Sequence, residues 1–268
     1  MKSYRLLLFS LLLIFTVFLS CSSDDEPAPE VCVPLVAKNN LTTYNYEYSE
    51  SGRLEKIIYN ETRPEKEDVL TYDTKGRLIK VIRRWIVLDY TYETYELDYN
   101  NQGKPATMRS WGQDTSYPPE VTTFSYDTKG RLTTREKTSG TFVRSYRYEY
   151  DNNDNVTKVF LKGININNQD DEVLGRENLS FDTRPRFYAG SPELETLNVY
   201  VFTYEPSKNN VLSSSVTWIN HGTYFNTPTN ITYTIGYNEK EMVNSLNLSF
   251  MAGYFPDFVF YSMEYKCK

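Results

Sequence analysis

The sequence has few of the side chains on which metal and catalytic sites depend. Its 268 residues include one histidine, His221, and three cysteines. Structural zinc sites take about four Cys or His ligands and catalytic sites about three, so this count excludes the usual zinc centres. No Gly-x-Ser-x-Gly motif occurs, which leaves nucleophilic catalysis without a recognisable nucleophile. We therefore predict no catalytic residue, no metal and no cofactor. Two oxygen-rich segments, Asp151–Asn155 and Asn165–Asp171, leave calcium as the alternative, with plain turns favoured.

Paired carboxylates leave one enzymatic alternative open. Glycoside hydrolases use two carboxyl groups ~5 to 10 Å apart, and 35 acidic residues guarantee some pairs at that separation. No pattern selects one pair over another. The prediction is a protein that is not an enzyme, with a hydrolase as the remaining alternative.

Positive charge is sparse and scattered. The chain has 29 basic against 35 acidic residues, a net charge of −6. The basic residues are scattered, with one at each of several predicted turns, such as Arg53, Arg77 and Arg131, and they form no stripe. Phosphate binding needs a basic stripe or patch. We therefore expect no nucleic-acid partner.

Long apolar runs are also missing, except near the N-terminus. Lys2 and Arg5 precede an apolar run of 14 residues, Leu6 to Leu19. A membrane-spanning helix needs ~20 residues, whereas this length fits the core of a signal peptide. The run ends in Phe18-Leu19-Ser20-Cys21, a lipobox, so we predict a lipoprotein signal peptide over 1–20 and a membrane anchor on a lipidated Cys21. The alternative is an ordinary secretory signal with an incidental cysteine.

Residues 21–30 are predicted to be a tether. Three acidic residues, Asp24 to Glu26, follow the predicted lipid anchor, and Pro27-Ala28-Pro29 favours a short extended spacer. An acidic cluster at this place resembles the signal that exports Bacteroidetes lipoproteins to the outer face of the outer membrane. The resemblance implies an outer-membrane lipoprotein that faces the cell exterior, and the alternative is a solvated tether.

The remaining residues, 31–268, are predicted to form a single domain built from one repeated unit. Tyr72–Leu78 and Tyr126–Leu132 share seven identical residues, Tyr-Asp-Thr-Lys-Gly-Arg-Leu. The aspartate accepts backbone hydrogen bonds at the start of a turn, and the glycine adopts a positive φ. β-Branched and aromatic residues flank both copies, so each unit is predicted to be a β-hairpin. The predicted turn residues are Asp73, Gly76, Asp127 and Gly130.

Looser copies extend the pattern over most of the domain. Their aromatic residues, each with the residue four positions later, are Tyr48/Gly52, Tyr99/Gly103, Tyr150/Asp154, Phe181/Pro185, Tyr204/Lys208 and Tyr237/Glu241. The predicted fold is therefore all-β, an antiparallel meander of about eight repeat hairpins curved into a barrel-like or open-shell sheet. No segment has the pattern of an amphipathic helix, and the polar segment Pro192–Glu195 is predicted to be a loop.

The unit resembles the YD repeats of Rhs-type and teneurin-like shell proteins, whose core is Tyr-Asp-x-x-Gly-Arg-Leu. The resemblance is tight in two copies and degraded in the later ones. The chain is short for a shell and is more similar to small Bacteroidetes lipoproteins of unknown function built from such repeats. That resemblance implies a porin-like or open-barrel antiparallel sheet, and it implies no catalytic residue.

Cys32 and Cys267 bracket the predicted domain. In an oxidising compartment two such thiols favour a disulfide, which would bring their Cα atoms within ~7 Å. We therefore predict a disulfide that closes the meander on itself. Two unpaired thiols, or pairing with another chain, are the alternatives.

Aromatic residues offer the best candidates for a binding site. They make up 15% of the chain, and the mean hydropathy of −0.56 argues against a lipid-embedded barrel. Tryptophans stack on sugars, so Trp85, Trp111 and Trp218 are the predicted ligand-binding residues, with a packing role as the alternative. We predict a lipid-anchored, surface-exposed binding protein for a glycan or host polymer. The alternative function is a structural or accessory subunit of a surface complex, with a protein partner.

Overall fold

The computed structural model describes 32–39, 42–60, 65–114, 117–163, 171–186, 188, 191–201, 205–217, 219–220, 223–224, 229–250 and 259–267. The predicted signal peptide (1–20), the tether (21–30), Cys21, Trp218 and His221 lie outside these residues. The predictions that concern them stay predictions.

The described residues form a closed antiparallel barrel of sixteen strands. The strands from its first half are β1 (Cys32–Asn39), β2 (Thr43–Tyr48), β3 (Leu54–Asn60), β4 (Lys66–Tyr72), β5 (Leu78–Trp85), β6 (Tyr90–Tyr99), β7 (Pro105–Gly112), β8 (Glu120–Tyr126) and β9 (Leu132–Ser139). Those from its second half are β10 (Phe142–Tyr150), β11 (Val156–Lys162), β12 (Glu172–Pro185), β13 (Asn209–Val216), β16 (Thr229–Tyr237), β17 (Val243–Phe250) and β18 (Val259–Cys267). Between β13 and β16, the short strands β14 (Ile219–Asn220) and β15 (Thr223–Tyr224) pair only with each other.

Each barrel strand neighbours the next along the chain, and β18 lies beside β1. The predicted all-β meander of about eight hairpins is therefore confirmed. Of the two predicted forms, the structure has the closed barrel and not the open shell.

The repeated turns follow from the predicted local chemistry. Asp73 Oδ1 accepts the backbone N–H groups of Lys75 and Arg77, both at 2.9 Å. Gly76 has a φ of +80°, and a Cβ on it would lie 3.2 Å from the guanidinium of Arg53. A side chain is thus disfavoured here both by the backbone conformation and by the neighbouring repeat. Asp127 and Gly130 repeat this arrangement in the other tight copy, with a φ of +79° at Gly130.

The repeat tyrosine bonds each unit to the preceding one. The Tyr72 hydroxyl donates to the carbonyl of Leu54, 2.6 Å away, and Arg53 stacks over the Tyr72 ring at 5.0 Å. Tyr99 bonds in the same way to Leu78 under Arg77, and Tyr150 bonds to Leu132 under Arg131. A phenylalanine would fill the space but could not donate. The unit therefore selects tyrosine before its aspartate and arginine after its glycine.

The hairpin predicted at Phe181/Pro185 is wrong, because an insertion separates the two halves of the repeat turn at this place. β12 runs through Phe181 to Pro185 without turning, and β13 starts only at Asn209. Asp182 Oδ1 still accepts two backbone N–H groups, those of Arg184 at 3.0 Å and Asn210 at 3.1 Å. It thus has the role of Asp73, with one of its two donors supplied from beyond the insertion. The copy at Lys208 belongs to the far end of this same connection.

The insertion contains a helix where the sequence predicted a loop. Helix α1 (Pro192–Thr196) is followed by a single π-helical turn, Leu197–Val201. Ser191 caps α1 by accepting the N–H of Leu194 at 3.3 Å. Leu194 is 1% exposed and Leu197 is 0% exposed, because both belong to the hydrophobic core in the barrel lumen. The prediction failed because a helix of five residues is too short for a recognisable apolar period.

The predicted disulfide is present. Cys32 and Cys267, 235 residues apart in sequence, are bonded to each other. Val33–Lys266 form one compact unit. Within the described residues, no helix has the length and apolar character needed to cross a membrane.

Candidate functional site

The described residues of the insertion pack against one side of the barrel lumen. Tyr200 packs edge-on against Phe124 with 4.9 Å between ring centroids, and its hydroxyl lies 3.1 Å from that of Tyr126. These contacts place the π-helical turn against β8. Leu194, Leu197 and Val199 complete an apolar core with lumen-facing residues of strands β2 to β11.

On the other side of the lumen lies a cavity of about 630 Å³, lined by residues of β10 to β13, β16 and β17 and of the insertion. Tyr146 and Tyr148, two residues apart on β10, share the lumen face, and they pair with Leu161 and Val159 on β11. Tyr233 of β16 also lines the cavity. The cavity has the size of a small-ligand site and aromatic walls suited to a sugar ring.

Burial keeps two of the tyrosines that line the cavity, Tyr148 and Tyr188, in their neutral form. Burial, the largest influence, raises the pKa of Tyr148 to about 12, with Arg135 acting in the opposite direction. Burial also raises the pKa of Tyr188, although Arg186 opposes it. At neutral pH the Tyr148 hydroxyl is therefore available as a hydrogen-bond donor, whereas the Tyr188 hydroxyl already donates to the carbonyl of Glu205 at 3.0 Å.

An ion pair crosses the cavity wall. Arg176 Nη1 donates to Glu205 Oε1 at 2.6 Å, and the amide of Asn178 donates to Oε2 at 2.8 Å. Burial is the largest influence on the pKa of Arg176 and lowers it, but Glu205 and Tyr233 outweigh it and the net shift is upward. Both oxygens of Glu205 are thus engaged by side chains of β12.

A second arginine in the wall is held by neutral groups. Arg186 Nη1 donates to the carbonyl of Glu205 at 2.9 Å and lies 3.2 Å from the hydroxyl of Tyr188, while Nε donates to the carbonyl of Asn209 at 3.2 Å. Among the ion pairs of the described residues, none includes Arg186. Its guanidinium is therefore oriented by acceptors that leave its charge unneutralised.

A third arginine lies behind this wall. Arg135 is 2% exposed and pairs across the sheet with Tyr146. It donates to the carbonyl of Val199 and lies over the ring of Phe124 at 5.8 Å. Its Nε has no hydrogen-bond partner among the described residues. A buried cation whose contacts among the described residues are a carbonyl and an aromatic ring adds positive potential to this side of the lumen.

Another charged cluster in the lumen is closed on itself. Asp68 is 0% exposed, and its carboxylate is bonded by Arg83 Nε at 3.0 Å and by the Tyr59 hydroxyl. Burial raises the pKa of Asp68, while Arg83 and these hydrogen bonds oppose that shift. Both carboxylate oxygens have partners, so this cluster stabilises the wall and does not offer an open site.

The structure separates two of the predicted ligand-binding residues. Val81 on β5 is paired with Tyr95 on β6, and both face the lumen. Trp85 lies four residues after Val81 on the same strand and therefore also faces the lumen. Trp111 pairs with Thr94, the residue next to Tyr95, and therefore faces outward. Trp85 and Trp111 cannot form one stacking surface, and neither lines the cavity.

The sequence did not identify the cavity residues. Tyr146 and Tyr148 alternate on a predicted strand, which indicated a shared face but not a cavity. Arg186 and Glu205 lie in the insertion, between two copies of the repeat that were interpreted as separate hairpins. The departure of Pro185 and Lys208 from the glycine pattern is the one signal of the insertion in the sequence.

The barrel resembles solved structures, although no family model and no curated protein matches the chain. A porin-like protein from Bacteroides uniformis has a TM-score of 0.51 at 14% identity, with 89% of this chain and 96% of that chain covered. A porin-like protein from Bacteroides vulgatus has a TM-score of 0.40 at 10% identity, over 87% of this chain and 99% of that chain. The Tc holotoxin pore of Photorhabdus luminescens has a TM-score of 0.34 at 11% identity, and this chain spans 12% of its length. The first likeness shows a shared porin-like fold; the two lower scores carry no argument.

Proposed function

We propose that the protein is a lipid-anchored envelope protein that binds an oligosaccharide in the lumen cavity. The observation that carries the proposal is the cavity of about 630 Å³ with its tyrosine walls and few oriented polar groups. Ligand sites are typically of this size, mostly apolar, and fixed in specificity by a small number of polar groups. The proposal includes no enzymatic step and no nucleic-acid partner.

The outer face of the barrel supports attachment through a lipid on Cys21 and not through the strands. Lipid-facing barrels present apolar residues outward. Here cross-strand ion pairs cover the outer face: Lys56–Glu67, Lys80–Glu96, Asp98–Arg109, Arg147–Glu172 and Lys158–Glu177. The proposal therefore has the barrel in water beside the outer membrane, facing the cell exterior.

Glycan binding is tested with the protein that starts at Val31. A glycan array identifies ligands, and calorimetry then compares the wild type with Tyr233→Ala. Loss of a stacking ring from the cavity should weaken binding by about tenfold or more, equivalent to ~1.4 kcal/mol. Tyr117→Ala is the control, because Tyr117 is 71% exposed and away from the cavity. Equal affinity of Tyr233→Ala and wild type, in variants with matching near-ultraviolet spectra, would refute the cavity as the site.

The anchor and its orientation are tested in cells. Metabolic labelling with a fatty-acid analogue should mark the wild type and not Cys21→Ala. A protease added to intact cells should digest the wild-type protein if it faces the exterior. Labelling of the variant, or full protection of the wild type, would contradict the corresponding part of the proposal.

A specific observation favours the accessory-subunit alternative as a second candidate. Three consecutive loops at one end of the barrel expose apolar side chains: Val87 (73% exposed), Leu88 (65%), Tyr117 (71%) and Phe142 (52%). Such a group at one rim is typical of a protein interface. Native electrophoresis of solubilised envelopes should show the wild type in a larger complex and Val87→Ser/Leu88→Ser outside it. Identical migration of the two would remove this candidate.

A further inference from the structure

The lumen cavity has an excess of positive charge in a chain that is acidic overall. Its charged lining residues are Arg176, Arg186 and Glu205. Glu205 is bonded to Arg176, so Arg186 is left without a carboxylate among the described residues. Arg135 adds a second such charge behind Tyr146. The net charge of the whole chain is −6, so the positive charge of the cavity does not follow from the overall composition.

An anionic ligand would relieve this imbalance. Removing a charge from water costs free energy unless an opposite charge or several hydrogen bonds compensate it. The carbonyl groups that hold Arg186 and Arg135 compensate part of this cost, and they also fix the two guanidinium groups in place. A guanidinium fixed beforehand binds an acidic group with little further loss of side-chain entropy.

We infer that the ligand of the cavity is an acidic sugar, one that carries a monoanionic carboxylate or sulfate ester beside rings that stack on tyrosine. This inference rests on the proposed glycan-binding function. The acidic group contacts Arg186 and its sugar ring lies against Tyr146, Tyr148 and Tyr233. A monoanion suits the site better than a dianion, because Glu205 lies in the same wall and repels additional negative charge.

The choice of a sugar over a fatty acid or a peptide follows from the walls. Tyrosine presents a flat face and a hydroxyl donor, which match the alternating apolar faces and hydroxyl groups of a sugar. Neutral Tyr148 supplies a donor at neutral pH, since burial raises its pKa to about 12. A long acyl chain would leave this buried donor without a partner.

The test compares glycans that differ only in their acidic group. Oligogalacturonides and their methyl esters share one backbone and differ in charge, and sulfated and unsulfated galactan fragments form a second pair. We expect the charged member of one pair to bind at least about tenfold more tightly, with an affinity that falls as salt is added. Which pair responds distinguishes carboxylate from sulfate.

Substitution of Arg186 assigns the effect to the cavity. Arg186→Gln should reduce the affinity for the charged glycan about tenfold and reduce that for its neutral counterpart less. Arg186→Lys, which keeps the charge, should restore part of the preference. Arg109→Gln on the outer face is the control and should change neither affinity, because Arg109 is half-exposed and pairs with Asp98.

The outcomes separate this inference from the function on which it rests. Neutral glycans that bind as tightly as charged ones would overturn the inference and leave glycan binding in place. A preference that persists in Arg186→Gln would also overturn it. If no glycan binds, the proposed function fails as well.

Discussion

The hydroxyl group of the repeat tyrosine should contribute measurably to the stability of the barrel. Tyr72→Phe removes one atom and keeps the ring under Arg53. It deletes the 2.6 Å hydrogen bond to the carbonyl of Leu54, a residue that is 1% exposed. A hydrogen bond contributes ~0.5–1.5 kcal/mol net, and a buried acceptor left without a partner costs ~1–3 kcal/mol. Because Leu54 is buried, we expect Tyr72→Phe to lower the free energy of unfolding by about 1–2 kcal/mol.

A double variant tests whether the repeats act independently. Tyr150 donates to Leu132 with the same 2.6 Å geometry, and β10 lies six strands from β4. At ~4.8 Å per strand the two sites are well beyond the ~10 Å within which substitutions couple. The losses of Tyr72→Phe and Tyr150→Phe should therefore add, to roughly 2–4 kcal/mol.

Urea unfolding of the chain from Val31 measures these losses. The midpoints should fall while the slope of free energy against denaturant stays unchanged, because the surface exposed on unfolding is the same. Tyr117→Phe is the matched control, and at 71% exposure it should change stability by less than ~0.5 kcal/mol. If Tyr72→Phe is no more destabilising than this control, the hydroxyl groups do not join the repeats and the explanation of the repeated tyrosine is wrong.

Other predictions concern pH and the disulfide. Burial raises the pKa of Tyr99 to about 12, so its stabilising contribution is complete below the unfolded value of ~10 and is lost as pH rises toward 12. The tyrosinate absorbance that is present in the wild type and missing from Tyr99→Phe should appear together with unfolding. If that difference appears near pH ~10 while the barrel is still folded, the prediction is wrong. The backbone hydrogen bond from Arg131 lowers the pKa of Asp127 below 3.8, so the contribution of this carboxylate to stability is present above that value and is lost as pH falls. Asp127→Asn should therefore flatten the acid limb of a curve of unfolding free energy against pH. An acid limb that is unchanged in the variant would contradict this prediction. Cys32→Ser/Cys267→Ser opens a loop of 235 residues and should destabilise by at most about 5 kcal/mol in urea, whereas an unchanged midpoint would show that the bridge does not restrict the unfolded chain.

Much of the fold could be predicted because the repeat is a local device. Asp73 and Gly76 form their turn with residues at most four positions away. The turn can therefore be predicted from the sequence without knowledge of any tertiary contact. The degraded copies kept enough of it, since Asp154 and Glu241 hold positive φ values of +64° and +60° in place of glycine. An acidic residue with a bonded turn tolerates this conformation at modest cost.

The candidate site could not be predicted, since its residues come together only in the lumen. Trp85 and Trp111 were attractive as stacking residues, but the register placed them on opposite faces. The cavity instead joins Tyr146, Tyr233 and Glu205 from elements far apart in sequence. No local period links these positions.

The amino-acid sequence by itself determined the hairpin and its turn residues, because hydrogen bonds within five consecutive residues select them. It also determined that two cysteines stand at the ends of the repeated region. The closure into sixteen strands, the entry of the insertion into the lumen and the cavity left beside it were decided only by the tertiary structure. Arg135 and the carbonyl of Val199, which are 64 residues apart in sequence, show the reason. The hydrogen-bond acceptor of Arg135 comes from a distant segment, so it exists only once that segment occupies the lumen.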